Sequence, residues 1–156
     1  MSEIKLLADG MLGSLAKWLR ILGYDTLYFS HADDNELVRI ARAEGRVLLT
    51  RDGELARRRG INALLIESEE LREQVQQVVT ELGTAGEEPL SRCPLCNAPL
   101  RKVEKRAVRG RVPPYVFRTH ERFSVCPHCG RIYWRGTHWA RMRQEIAHLI
   151  GGKELK

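Results

Sequence analysis

Along the first 83 residues the order of apolar and polar positions alternates between two periods. Ile4 to Ala8 reads as a strand, and Met11, Leu12, Leu15, Trp18, Leu19 and Leu22 then recur at helical spacing until Gly23 stops the run. Thr26 to Phe29 predicts a second strand. Asp33 or Asp34 can cap a helix carrying Leu37, Ile40 and Ala41, which ends at Gly45. A short apolar strand, Val47 to Leu49, a short helix, Glu54 to Arg59, and a fourth strand, Ala63 to Ile66, come next. Leu71, Val75, Val78, Val79 and Leu82 form an amphipathic stripe closed by Gly83. Strict alternation of four strands with helices predicts an α/β fold: a parallel sheet with helical crossovers.

Gly83, Gly86 and Pro89 break both periods, which divides the chain into an α/β unit (1–83), a linker (84–90) and a second module (91–156). All four cysteines lie in that module, as Cys93-Pro94-Leu95-Cys96 and Cys126-Pro127-His128-Cys129, with 29 residues between the pairs. Each pair can present two thiolates from one tight turn, so the two together predict a tetrahedral zinc site. Asn97 and Gly130 follow the pairs, where a positive φ turns backbone amides toward the sulfurs. Four thiolates leave no open coordination position, so this zinc is expected to be structural, folding a β-rich ribbon too small to make its own core. A final helix carries Trp139, Met142, Ile146 and Leu149.

Composition adds a partner. With 29% charged and 43% hydrophobic residues the balance is that of a soluble globular chain, and no apolar run approaches the roughly 20 residues of a membrane span. The start of the chain lacks a basic and then apolar secretory pattern, so a cytoplasmic location is expected, where paired cysteines bind metal rather than oxidise. The net charge of +6 conceals an asymmetry: residues 1–86 carry 11 Lys and Arg against 14 Asp and Glu, and residues 87–156 carry 15 against 6. A basic half points to a polyanion, with RNA or DNA first in line. Arg101, Lys102, Lys105, Arg106, Arg109 and Arg111 put six cations in eleven residues. They predict a cationic hairpin returning near Pro113-Pro114 that contacts phosphates, with Tyr115, Phe117 and Phe123 as rings on which unpaired bases can stack.

The acidic half concentrates carboxylates at strand ends. Asp9 follows the first strand, Asp33 and Asp34 come after the second, Asp52 follows the third across Thr50 and Arg51, and Glu67 abuts the fourth. The carboxyl ends of parallel strands share one edge, where open α/β sheets bind ligands. Carboxylates gathered there repel one another unless a divalent cation neutralises them. Oxygen ligands favour Mg²⁺ or Mn²⁺, and such an ion can activate water for attack on a phosphodiester. The plainer alternative is that each Asp merely caps the next helix. Lys17 and Arg20 lie off the apolar stripe of the first helix and, with Arg51 beside Asp52, are candidate phosphate contacts; the alternative is a solvated helix face.

The run from Leu7 through Asp9-Gly10-Met11-Leu12-Gly13 to Trp18-Leu19-Arg20-Ile21-Leu22-Gly23-Tyr24-Asp25 resembles the opening signature of the Mut-seven C-terminal RNase domain. That family joins a PIN-like nuclease domain to a zinc ribbon. Thr50-Arg51-Asp52 resembles its second acidic signature, and Cys126 to His138 resembles its ribbon and exit strand. The likeness implies a metal-dependent ribonuclease in which Asp9, one of Asp33 or Asp34, and Asp52 are the metal-binding acids, with Glu36 also open as the second. The rivals are a non-catalytic RNA-binding ribbon module and a ribbon that docks a protein.

Overall fold

A computed structural model describes residues 4–149. Four strands, β1 (Lys5–Ala8), β2 (Asp25–Tyr28), β3 (Val47–Thr50) and β4 (Asn62–Leu65), form a parallel sheet in the order β2-β1-β3-β4. The crossovers are α1 (Gly13–Ile21), α2 (Asp34–Glu44) and α3 (Gly53–Ala56), and α4 (Leu71–Leu82) follows β4. Successive strand residues point to opposite faces, and the core divides accordingly. Leu6, Ala8 and Leu49 pack with Leu15, Leu19, Val75 and Val78 of α1 and α4, whereas Leu7 and Leu48 pack with Leu37, Ala41 and Leu55 of α2 and α3. Helices therefore cover both faces, as the alternation predicts.

The helix ends are explained by local chemistry. The Asp33 carboxylate accepts from the Glu36 N–H and caps α2, which stops at Gly45 in the left-handed conformation. The Asp52 carboxylate accepts from the N–H groups of Glu54 and Leu55 and caps α3. The first helix differs from expectation, because it begins at Gly13 and leaves Met11 in the preceding turn with 80% of its surface exposed.

The second module is a three-stranded antiparallel sheet, β5 (Arg101–Val103), β6 (Phe123–Val125) and β7 (Ile132–Tyr133). The segment expected to be a cationic hairpin is not one. After β5 the chain makes a 3-10 turn, Lys105–Val108, and then α5 (Pro114–Thr119), so that the strand pairing with β5 is β6. Pro114 opens α5 at a position where a missing N–H costs nothing, so the proline pair starts a helix instead of turning a hairpin. The ribbon was expected to have no core of its own, but Val108, Val112, Val116 and Phe123 make a small one, because α5 and the 3-10 turn fold over β6. The final helix, α6 (Thr137–Leu149), packs back on α4 and brings Trp139 and Met142 into the core that holds Leu15 and Val78. The side chains of His138, Ile146 and Leu149 lie outside the described ones.

A polar junction ties the ribbon to the amino-terminal end of β2. Asn97 donates to Asp25 Oδ1 at 2.8 Å and accepts from the Thr26 N–H at 2.9 Å. Arg92 lies 3.8 Å from Asp25 Oδ2, and Arg46 donates to Asp25 Oδ1 at 2.9 Å and to the Leu6 carbonyl at 3.1 Å. Arg20 donates to the carbonyls of Thr26 (2.8 Å) and Pro94 (2.9 Å). Charges buried this way are tolerable because each has partners. The junction sits at the edge opposite the strand-end acids, and roughly 13 Å of strand separates the two.

Candidate active site and metal centre

In the order β2-β1-β3-β4 the chain leaves β1 in one direction and returns on its other side, so the crevice between the carboxyl ends of β1 and β3 is the switch point of the sheet. Asp9 stands at the end of β1, held by a backbone bond from its N–H to the Leu49 carbonyl at 3.1 Å. Its Oδ1 accepts from the Met11 N–H at 3.0 Å, and its Oδ2 accepts from the Thr50 hydroxyl at 2.5 Å. The same Thr50 oxygen accepts from the Asp52 N–H at 3.0 Å. Thr50 is fully buried, and its hydroxyl links the Asp9 carboxylate to the Asp52 backbone. Its role was not visible in the sequence, where threonine at the end of a strand reads only as a β-branched strand residue.

The four expected acids differ in what they have free. Asp9 is 8% exposed, and both its oxygens are engaged, each with one lone pair to spare. Asp52 caps α3 through Oδ1 alone, and its Oδ2 makes no hydrogen bond among the described residues. Asp33 commits Oδ1 to its cap, and Asp34 stands exposed in the first turn of α2. Among the described residues no three carboxylates bring oxygens within 4.8 Å of one another. Asp9 and Asp52 follow the neighbouring strands β1 and β3, and Asp33 and Asp34 follow β2. A pair suffices for Mg²⁺, which keeps several waters and takes one or two protein carboxylates. Glu67 is exposed after β4.

The expected phosphate contacts separate into used and unused cations. Arg20 is corrected: it is buried, with two guanidinium nitrogens donating to carbonyls, and it fastens α1 and β2 to the ribbon instead of facing solvent. Burial lowers its pKa, partly offset by the nearby Cys93, Cys96 and Asp25. Arg51 lies on the rim; its Nη2 is 3.8 Å from Glu69, and its Nη1 is buried without a hydrogen-bond partner among the described residues. Lys17 is exposed on α1. In the ribbon, Lys105 pairs with Glu121, Arg106 pairs with Glu104, and Arg111 donates to the Gly130 carbonyl at 3.4 Å. Arg101, Lys102 and Arg109 are exposed.

The aromatic expectation is also revised. Phe123 is buried against Trp134, and Lys105 and Arg109 lie over the Phe117 ring at 5.0 and 5.2 Å. Tyr115 alone of the three is open, at 62% exposure. A cationic feature missed in the sequence lies in the acidic half. Arg39, Arg42 and Arg58, with Asn35 and Val38, line an open groove of about 480 Å³ beside α2 that contains no acid. Their spacing of three along α2 was legible, but their meeting with Arg58 needed the fold.

The four cysteine sulfurs lie within 4.8 Å of one another, and Cys93 Sγ and Cys129 Sγ are 3.8 Å apart. Thiolates about 2.3 Å from a tetrahedral zinc lie about 3.8 Å from each other, so the set fits the ion. Asn97 (φ 66°) and Gly130 (φ 79°) take the positive φ expected of them. The Tyr133 hydroxyl lies 3.1 Å from Cys93 Sγ; burial raises its pKa, so it remains a donor to a thiolate. Hydrogen bonds from the backbone and side chain of Arg131 lower the Cys129 pKa. Desolvation, together with the neighbouring thiols, raises that of Cys96. Thiols so crowded cannot all ionise alone, whereas a divalent cation takes all four as thiolates.

A parallel sheet covered by helices on both faces, followed by a small antiparallel sheet with four cysteines positioned to hold a metal ion, defines an α/β protein with an appended ribbon consistent with zinc. The chain matches the model of the Mut7-C RNAse domain over residues 4–146 and belongs to that family, as the opening and ribbon motifs suggested. No curated protein and no solved structure matches it.

Proposed function

We propose that this protein is a divalent-metal-dependent ribonuclease that hydrolyses RNA phosphodiester bonds in the crevice between β1 and β3. What supports this is the Thr50 hydroxyl, donating to the Asp9 carboxylate and accepting from the Asp52 N–H, because it links the ends of the two neighbouring strands from which these acids emerge. Asp9 and the free Oδ2 of Asp52 would hold Mg²⁺ or Mn²⁺, and Asp34, not engaged as a cap, is a better third acid than Asp33. Such an ion, when bound, supplies an activated water and neutralises charge on the phosphate. Arg51, next to Asp52 in the chain and partly exposed, is the candidate contact for a phosphate oxygen. Lys17, the groove of Arg39, Arg42 and Arg58, and the exposed ribbon cations Arg101, Lys102 and Arg109 supply the salt-sensitive hold on the backbone. The four reduced thiols suit a cytoplasmic setting.

The second reading, an RNA-binding module without catalysis, draws on the capping by Asp33 and Asp52. Asp9→Asn and Asp52→Asn decide between the two, since asparagine keeps the acceptor for each backbone bond. Each variant is expected to lower Mn²⁺-dependent cleavage on the order of a hundredfold or more with little change in melting temperature. Cleavage at the parent rate by both would retire the active-site assignment, and a parent that binds RNA without cleaving it would leave the non-catalytic reading.

A further inference from the structure

Of the large apolar side chains exposed at the carboxyl edge of the sheet, two follow β1 and β2, and neither belongs to the core the sequence predicted for it. Met11 is 80% exposed and Phe29 is 40% exposed. They rise from abutting loops: a Cβ placed on Gly10 would lie 3.0 Å from the Ser30 carbonyl oxygen and 3.8 Å from that of Phe29. The Met11 loop is held on every side. Its own N–H donates to Asp9 Oδ1 at 3.0 Å, the Leu12 N–H donates to the Asp9 carbonyl at 3.0 Å, and the Tyr28 hydroxyl donates to the Gly10 carbonyl at 2.9 Å. The Tyr28 ring also closes on Gly13, where a Cβ would meet it at 3.0 Å.

A solvent-facing methionine on a floppy loop means little, since single exposed apolar residues are common. Here the backbone is pinned by the very carboxylate proposed to act, and the side chain stays 80% exposed. From this geometry we infer that Met11 and Phe29 form a subsite for an unpaired nucleobase flanking the scissile phosphodiester. The occupant follows from position. Whatever lies within reach of Asp9 in a ribonuclease is attached to the reacting phosphate, and the neighbouring group with an apolar face is the base. An aromatic ring and a polarisable thioether both suit a π-face, irrespective of which base presents it. A paired base keeps its faces stacked within the helix, so the subsite selects single-stranded RNA over duplex. This rests on the ribonuclease reading for its substrate, but it is a statement about binding and is tested as one.

The test uses the full zinc-loaded chain carrying Asp52→Asn, which disables cleavage and leaves Asp9 and the Met11 loop intact. Binding of single-stranded RNA is compared with and without Met11→Ala and Phe29→Ala together, using oligonucleotides in which an abasic site is moved one position at a time. The paired substitution is expected to weaken binding about tenfold, the size of a lost base stack. One abasic position should produce the same loss in the unsubstituted protein, and there the substitutions should cost nothing more. Met11→Leu should bind as the parent does. Equal affinity with and without the substitutions, or an equal loss on duplex RNA, overturns the subsite. Mn²⁺-dependent cleavage by the parent is scored separately. Cleavage without an abasic effect removes the subsite alone, and an abasic effect without cleavage removes the nuclease reading alone.

Discussion

Among single residues, Thr50 has the most to lose from a small change. Thr50→Val keeps the shape but removes both hydrogen bonds, leaving the Asp52 N–H without its partner and the Asp9 carboxylate with one fewer donor. Residues that orient metal-binding carboxylates typically matter 10-fold to 100-fold. A loss of about that size in Mn²⁺ affinity and cleavage is expected, together with about 1–3 kcal/mol of stability. Thr50→Ser should restore most of both, and metal titration with thermal melts checks it. A valine variant with parent affinity would show that the acids position themselves. The place of Asp9 at the end of β1 was legible, because it directly follows the first apolar run. Met11 was not, since its spacing fits the apolar stripe and nothing in the order of residues says that the helix starts two positions later. Arg20 misleads for a related reason: its carbonyl partner on Pro94 is 74 residues away.

At the level of elements, the meeting of β2 with the first cysteine turn is where acid should act. Burial alone would raise the Asp25 pKa, but hydrogen bonds from Arg46 and Asn97 and the charges of Arg46 and Arg92 more than reverse this and lower it. A lowered carboxylate pKa contributes stability that is fully present above the unfolded value of about 3.9 and is lost as pH falls through the folded value. Asp25→Asn should therefore be less stable than the parent at neutral pH, on the order of 3 kcal/mol, because Arg46 and Arg92 lose their shared anion. The deficit should hold down to about pH 4 and shrink below it, with both proteins compared by denaturant unfolding in the same zinc buffer. A deficit that grows on acidification would assign the stabilisation to other groups. The strands, helices and their order in the chain were legible from period alone. The ribbon's interior was not, because prolines and cations in alternation suit a hairpin and a short helix equally.

For the whole molecule, the alternating first half and the paired cysteines were enough to expect an α/β unit and a ribbon, but not how the two are joined. The strand order and the return of α6 onto α4 depend on contacts between distant parts of the chain. That return has a consequence for zinc. The cysteine turn supplies the Pro94 carbonyl to Arg20 of α1 and the Asn97 side chain to β2, and the chain beyond the ribbon supplies Trp139 and Met142 to the main core. Removing the metal should therefore lower the melting of the entire chain in one cooperative transition, as calorimetry with and without chelator can read. A second, unshifted transition for the α/β unit would mean that the two parts unfold independently.

The close fit at Gly23 sets a further constraint. With φ at 102° and the carbonyl oxygens of Glu87 and Glu88 only 2.7 and 2.8 Å from where a Cβ would sit, the chain passing from one half to the other lies flush against the end of α1. Any side chain there would lever the passing strand outward and carry the cysteine turn with it. A hydrogen atom at position 23 thus governs how the cysteine turn is set against the amino-terminal edge of the sheet.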